Sequence, residues 1–492
     1  MKPLRFTAAV CLILLAGCKL GPNYQRPAAD AGAQFRGATA ETASIGDLPW
    51  WEVFGDPQLQ GYIRTALENN KDLKIAVARV AEARAAARIA QSEFFPQVNG
   101  YGTGARTRLS ERTNKGIGSI SGTFETPIGP GTFVTNEAKA DKYMNLYQAG
   151  VDLSYEADLW GRIRRGSEAA RAELLATEDA RRTITSALVA DVARNYFELR
   201  ELDLELDIAR RTLQTRTESE RLIKLRLDHG RANGLDYERA AGETAATAAT
   251  MAQIEYSIAR TENALGILLG KNPGDLGRGK ALVEQPVMPS VPAGLPASLI
   301  ERRPDVLAAE ARLIAANARI GEAKALFFPR ISLTGLAGFE SDALNDWFTH
   351  DAHTWSVAGN LAQPIFQGGR IYFNYKAVKA RREQALQAYL GAIQTALADV
   401  ADALAARKYS FQEREQRQRQ VAALVHASEL ASMRYEGGRS DYLDVLDAER
   451  EQFSAELQLA QARLAELVSV VQLYKALGGG WQENEPADEK GT

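Results

Sequence analysis

The chain has 492 residues, 45% hydrophobic and 25% charged, with a formal net charge of -3 at pH 7. That mixed balance leaves no basic footprint for nucleic acid, and no internal run reaches the roughly 20 apolar residues of a membrane-spanning helix. A bilayer is then open to it only as a closed barrel, because hydrocarbon leaves free sheet edges unpaired.

Residues 1–17 read as a signal peptide: Lys2 and Arg5 precede the apolar run Phe6 to Ala16. Leu15-Ala16-Gly17-Cys18 resembles a bacterial lipobox, in which Cys18 is acylated and becomes the mature N-terminus. Cys11 is removed with the leader, so the mature chain has no disulfide and no cysteine metal site. Residues 18–56 form a lipidated arm rich in Gly, Pro, Ala and Trp. The first half spans 57–270. A short helix is predicted over Gln58 to Asn69 and an Ala-rich one over Leu73 to Phe94, stopped by Phe94-Phe95-Pro96 because proline disfavours helix just before it. Val98 to Arg106 is a Gly-diluted strand, and residues 109–140 read as a long loop.

From Tyr147 to Leu159 apolar residues alternate with Gln148, Gly150, Asp152, Ser154, Glu156 and Asp158. A period of two gives a strand with one greasy and one acidic face. The chain then runs to Asp228 without proline, a rod of roughly 100 Å at 1.5 Å per residue. Ile184, Leu188, Val192, Tyr196, Leu199, Leu202, Leu206 and Leu213 supply the stripe of a helix packed lengthwise. A return helix covers 235–270, and the proline-rich residues 271–297 are a connector.

The second half, 298–480, repeats the order. A helix is predicted over 297–325, and Phe327-Phe328-Pro329 matches the first stop. Ile331, Leu333 and Phe339, then Trp355, Val357, Leu361 and Ile365, mark two strands ahead of a second rod to Gly437. The β-hairpins fall at about 97–159 and 330–366, the helical tips at 226–239 and 434–450, and the helices repeat with an offset near 208. Residues 481–492 are an acidic tail. Four strands cannot close a barrel with an open lumen, so identical chains must pool them. In such a barrel the apolar face meets lipid, Asp152, Glu156 and Asp158 face the lumen, and Tyr143, Trp160, Trp347 and Trp355 are candidates for aromatic girdles.

Together Cys18, Gly21-Pro22-Asn23-Tyr24-Gln25-Arg26-Pro27, Glu301-Arg302-Arg303-Pro304-Asp305-Val306, Pro364-Ile365-Phe366-Gln367-Gly368-Gly369-Arg370 and Tyr474-Lys475-Ala476-Leu477-Gly478-Gly479-Gly480-Trp481 resemble outer-membrane efflux proteins of the TolC superfamily, in its lipid-anchored OprM/NodT branch. The resemblance implies a membrane α+β fold: a homotrimer whose twelve-stranded outer-membrane β-barrel continues into a helical coiled-coil periplasmic tunnel. It implies a passive exit duct for small molecules, driven by an inner-membrane transporter of the resistance-nodulation-division type through a periplasmic adaptor. No cofactor is implied beyond lipid on Cys18, and no enzyme activity.

The resemblance also places a gate at Leu443, Asp444, Asp447 and Arg450, and adaptor contacts at Gly230, Arg231, Gly234, Gly438 and Arg439. Leu443 supplies an apolar ring, and Asp447 and Arg450 the links that hold the closed state. On periodicity Arg450 is the one charge in the stripe Leu443, Leu446, Arg450, Phe453, Leu457, Ala460, Leu464, Leu467, Val471, Tyr474. A charge there costs stability unless paired or wetted. Read without the resemblance, Asp444, Asp447 and Arg450 are a solvated helix-end cluster. His350 and His353 lack the carboxylate spacing of a metal site. A duct for type I protein secretion and a periplasmic coiled-coil scaffold lipoprotein are the alternatives.

Overall fold

The computed structural model describes residues 19–28, 45, 48–49, 53–108, 119–126, 129–136, 143–285 and 296–481. The signal segment, Cys18 and the acidic tail beyond Trp481 lie outside them. The chain divides into two compact units, one of Met1–Arg26, Glu82–Leu174 and Ala311–Leu386, the other of Pro27–Ala81, Leu175–Glu310 and Gln387–Thr492. In chain order the elements are α1 (Pro57–Asn69), α2 (Lys71–Ser92), β1 (Gln97–Arg108), β2 (Ser119–Thr126), β3 (Gly129–Asn136), β4 (Tyr143–Glu156), α3 (Arg162–Asp228) and α4 (Gly234–Leu268). Then come α5 (Pro296–Arg302), α6 (Pro304–Ala325), β5 (Arg330–Ser341), β6 (His353–Ala362), α7 (Arg370–Glu436) and α8 (Tyr442–Ala476). Helices α3 and α7 both have 67 residues, α4 and α8 both 35, and α2 and α6 both 22.

The first unit holds a four-stranded antiparallel sheet in the order β1-β4-β5-β6. Its register pairs Asn99 with Asp152, Asp152 with Leu336 and Leu336 with Ser356, and so separates two faces. Gln148 and Asp152 lie on one, 7% and 3% exposed, bonded to Glu340 and Asn99 at 3.1 and 3.0 Å. Val98, Val151, Leu333, Trp355, Val357 and Leu361 lie on the other and are all exposed, Val357 to 76%. A water-soluble sheet does the reverse. Within it Gly150 and Gly338 are paired, and an added Cβ would sit 2.6 Å from the Ala337 carbonyl oxygen or 2.3 Å from that of Ala149. Only glycine fits this approach.

Three expectations about this region are corrected. Residues 109–140 are not one loop, because β2 and β3 form a separate antiparallel hairpin. Thr123, Thr126, Thr132 and Thr135, with Ile120, Phe124 and Val134, are residue types that favour extended backbone. Strand β4 ends at Glu156, so Asp158 has no place on its acidic face. Asp158 instead accepts from the Arg164 backbone N–H at 2.8 Å and pairs with the Arg164 side chain, at the start of α3. Glu156 remains on the strand but is tied to Arg162 at 2.8 Å. Likewise β6 stops at Ala362, which leaves Ile365 outside it.

Both Phe-Phe-Pro stops separate a helix from a strand. At the second, the Trp160 indole stacks on Phe328 at 4.9 Å and donates to the Pro329 carbonyl at 2.7 Å. Nearby the arm is clamped. Arg165 is wholly buried and donates to the carbonyls of Leu20 and Gly21, at 3.0 and 3.2 Å, and to Asn23 Oδ1 at 3.0 Å. It also pairs with Glu168, which Lys19 reaches at 2.7 Å. Gly21, at φ 92°, approaches Gly321 so closely that a Cβ would lie 2.5 Å from the Gly321 Cα. The arm's Gly-Pro-Asn is therefore held through the backbone of Gly21 and Pro22 and the side chain of Asn23, with Asn317 donating to the Pro22 carbonyl at 3.0 Å.

The second unit is helical. The helix expected over 297–325 is broken at Arg303, since Pro304 has no N–H and opens α6 instead. Arg303 binds Asp305 and Asp399 at 2.6 and 2.8 Å and donates to the Ala476 carbonyl at 3.3 Å. That accounts for the Arg-Pro-Asp run. Asp56 is likewise buried, accepting from Tyr196, the Gln58 and Lys280 amides and Gln285. Among the described residues no helix is long and apolar enough to cross a membrane.

Candidate functional site

The tips of the two helix pairs are built alike. Gly230 and Gly438 end α3 and α7 at φ 69° and 67°, a left-handed conformation that glycine adopts without strain. Arg231 N–H then reaches back to the Arg226 carbonyl at 2.7 Å, and Arg439 N–H to that of Arg434 at 2.8 Å. Gly234 opens α4, where Asn233 caps the Asp236 amide at 2.8 Å. Nothing lies within 4 Å of a Cβ built on Gly230, Gly234 or Gly438. All three, with Arg231 and Arg439, are exposed.

Ile223, Ala240, Tyr442, Val445 and Leu446 pack into one small core that ties the two tips together. The buried line of α8 at this end is thus Tyr442, Val445 and Leu446, while Leu443 is exposed. Arg450 also stands off the buried stripe, its side chain 57% exposed. The expectation of a seam charge is corrected accordingly. Alternate i+3 and i+4 steps fit two adjacent stripes of one helix, and packing chooses between them.

Arg450 is nonetheless paired. It bonds Asp447 at 3.2 Å and, through Nε, Glu243 at 3.1 Å; Glu243 in turn meets Arg216 at 3.0 Å. A row Asp447–Arg450–Glu243–Arg216 therefore joins α8 to α4 and α3. Hydrogen bonding to Glu243, then its charge, raises the Arg450 pKa further. Asp444 is exposed on the neighbouring turn. Asp447 and Arg450 are thus brought together as expected, but Glu243 and Arg216 were missed. Glu243 has a signal: it is the sole charged residue between Ala240 and Met251, amid Ala, Thr and Gly.

A second carboxylate group lies deeper in the helices. Glu201 and Glu205 are both buried, with Gln461 donating to Glu205 at 3.0 Å. Burial first, and then the Glu205 hydrogen bond and charge, push the Glu201 pKa up to about 9. A folded-state pKa above the unfolded value favours the folded state at low pH, so this contribution is lost as pH rises from the ordinary glutamate range through about 9. Glu201→Gln is expected to flatten the fall in melting temperature over that window, with a loss on the order of a few kcal/mol removed. Thermal melts of both proteins across pH measure it; parallel curves would refute the assignment. Among the described residues no group of three or more His, Cys, Asp or Glu could hold a metal ion.

The model of the family described as outer membrane efflux protein matches residues 62–271 and 295–479. The chain is 39% identical over 482 residues to the solvent efflux pump outer membrane protein SrpC of Pseudomonas putida, covering 96% of this chain and 98% of that one. It is 34% identical over 488 residues to the cation efflux system protein CusC of Escherichia coli, covering 98% and 100%. The crystal structure of the open state of the MtrE outer membrane channel of Neisseria gonorrhoeae matches with a TM-score of 0.82 at 32% identity, over 94% of this chain and 99% of that one.

Proposed function

The chain belongs to the outer membrane efflux protein family, whose members are efflux channel proteins and not enzymes, and on that premise we propose that it is the exit duct of a tripartite efflux pump. Three copies pool four strands each into a twelve-stranded barrel in the outer membrane, and their long helices line a periplasmic tunnel. Lipid on Cys18 anchors the arm. An inner-membrane transporter of the resistance-nodulation-division type drives small molecules through a periplasmic adaptor, which docks on the tips at Gly230, Arg231, Gly234, Gly438 and Arg439. Leu443, Asp444, Asp447 and Arg450, now with Glu243, form the gate. SrpC is named for solvents and CusC for cations, which supports a duct whose cargo is chosen elsewhere.

One observation carries this reading: the sheet buries Gln148 and Asp152 and exposes Val98, Val151, Leu333, Trp355 and Val357. Bare apolar side chains on one face suit lipid, and a periplasmic scaffold has no use for them. Val357→Arg is expected to cost about 2–4 kcal/mol in the bilayer and to deplete the protein from detergent-free-washed outer membranes. Ser356→Arg, on the opposite face, is expected to leave membrane recovery and trimer mass unchanged. Equal recovery of the two variants would defeat the proposal.

A further inference from the structure

A cleft of about 310 Å³ lies within the helical second unit, between α7, α8 and the short 3-10 turn Leu282–Glu284. That size falls at the low end of sites for small organic molecules. On α7, Arg407, Phe411 and Arg414 stand at i, i+4 and i+7, one face of the helix, and α8 adds Arg463 and Glu466. The lining thus carries three arginines against one glutamate, a surplus of two positive charges.

The one carboxylate is fully used. Glu466 is 2% exposed, and its Oε1 accepts from Arg407 at 3.1 Å while its Oε2 accepts from Arg414 at 2.8 Å. Both guanidiniums also lie by the Phe411 ring, their carbons 5.8 and 5.1 Å from its centre. Arg463 is left over. Among the described residues it makes no ion pair and no hydrogen bond. It is half-buried, yet none of its nitrogens is enclosed, so its donors open onto the cleft. Burial first, then the charge of Arg414, pull the Arg463 pKa down, with Glu466 opposing. A half-buried guanidinium beside a like charge is costly without a counter-ion. Val283 and Phe411, on the same cleft, are 55% and 42% exposed, so the surplus charge sits beside bare apolar surface.

We propose that this cleft binds a small organic phosphate monoester, its dianionic oxygens on Arg463 and Arg414 and its apolar body on Phe411 and Val283. Guanidinium groups suit phosphoryl oxygens, and a dianion balances the surplus. The site does not rest on the duct reading, since one unit of one chain supplies all of it. The test is calorimetric titration of the detergent-solubilised full chain with phenyl phosphate at about pH 8, where a monoester with its second pKa near 6 is a dianion. Phenyl sulfate, of the same shape with one charge, is the control. Phenyl phosphate is expected to bind saturably, and phenyl sulfate at least tenfold more weakly. Arg463→Gln is expected to weaken phenyl phosphate at least tenfold while the unliganded protein melts no lower than the wild type, because a like charge is relieved. Val283→Ser is expected to weaken phenyl phosphate severalfold and to leave inorganic phosphate unchanged. No saturable binding, equal binding of the two esters, or undiminished binding in Arg463→Gln or Val283→Ser would each overturn the site. A lower unliganded melting temperature in Arg463→Gln would show its guanidinium already partnered, and would overturn it too.

Discussion

Conductance through planar bilayers is expected to rise when Arg450→Ala is combined with Asp447→Ala. The physical basis is the row Asp447–Arg450–Glu243, with Arg450 bonded to Asp447 at 3.2 Å and to Glu243 at 3.1 Å. Exposed pairs of this kind contribute about 0.2–1 kcal/mol each. Loss of both links thus removes about 1 kcal/mol per chain. In the proposed trimer the three copies act on one constriction, giving about 3 kcal/mol, on the order of a hundredfold in the ratio of closed to open. Glu243→Gln alone is expected to move conductance in the same direction by a smaller factor, because it breaks the shared centre of the row. It also separates a gate from a mere helix-end cluster. A cluster of solvated charges predicts wild-type conductance for both variants, and that outcome would remove the gate.

Replacement of Arg165 by Ala is expected to release the N-terminal arm and lower stability by about 3–5 kcal/mol, as when one partner of a buried charge network is deleted. Arg165 is wholly buried and makes three bonds to the arm, at Leu20, Gly21 and Asn23. Its removal strands Glu168 with Lys19 as its remaining ion-pair partner. Arg165→Lys recovers only part, because a single ammonium cannot span three acceptors in a fixed fork. Hydrogen exchange by mass spectrometry over residues 19–25 reads the arm directly. Unchanged protection in Arg165→Ala, whatever the melting temperature, would show that other contacts hold the segment.

Much of this architecture was legible because two periods are hard to mimic. Alternation over Tyr147 to Tyr155 and the proline-free runs to Asp228 and Glu436 each permit one kind of backbone. The hairpin of β2 and β3 was hidden because Gly, Ser and Thr are as common in turns as in exposed strands, and only pairing across the turn distinguishes them. Asp158 was misplaced because alternation ran three residues beyond the last paired residue, Glu156. At the tips Asp447 and Arg450 were singled out by the family resemblance, and their i+3 spacing is one that a single helix displays. Glu243 and Arg216 were not, since their contacts cross 207 and 27 residues, and the isolation of Glu243 among small residues does not say which charge it meets. Arg165 shows the same limit: nothing in Arg-Ile-Arg-Arg-Gly marks which arginine is buried.

The paired glycines of β4 and β5 have a mechanical meaning. Gly150 and Gly338 stand on the same side as Gln148 and Asp152, and neither carries a methyl group to resist bending toward that side. A methyl at either position would push β4 and β5 apart, so the seam that joins the hairpin of the first half to that of the second tolerates no side chain at this level.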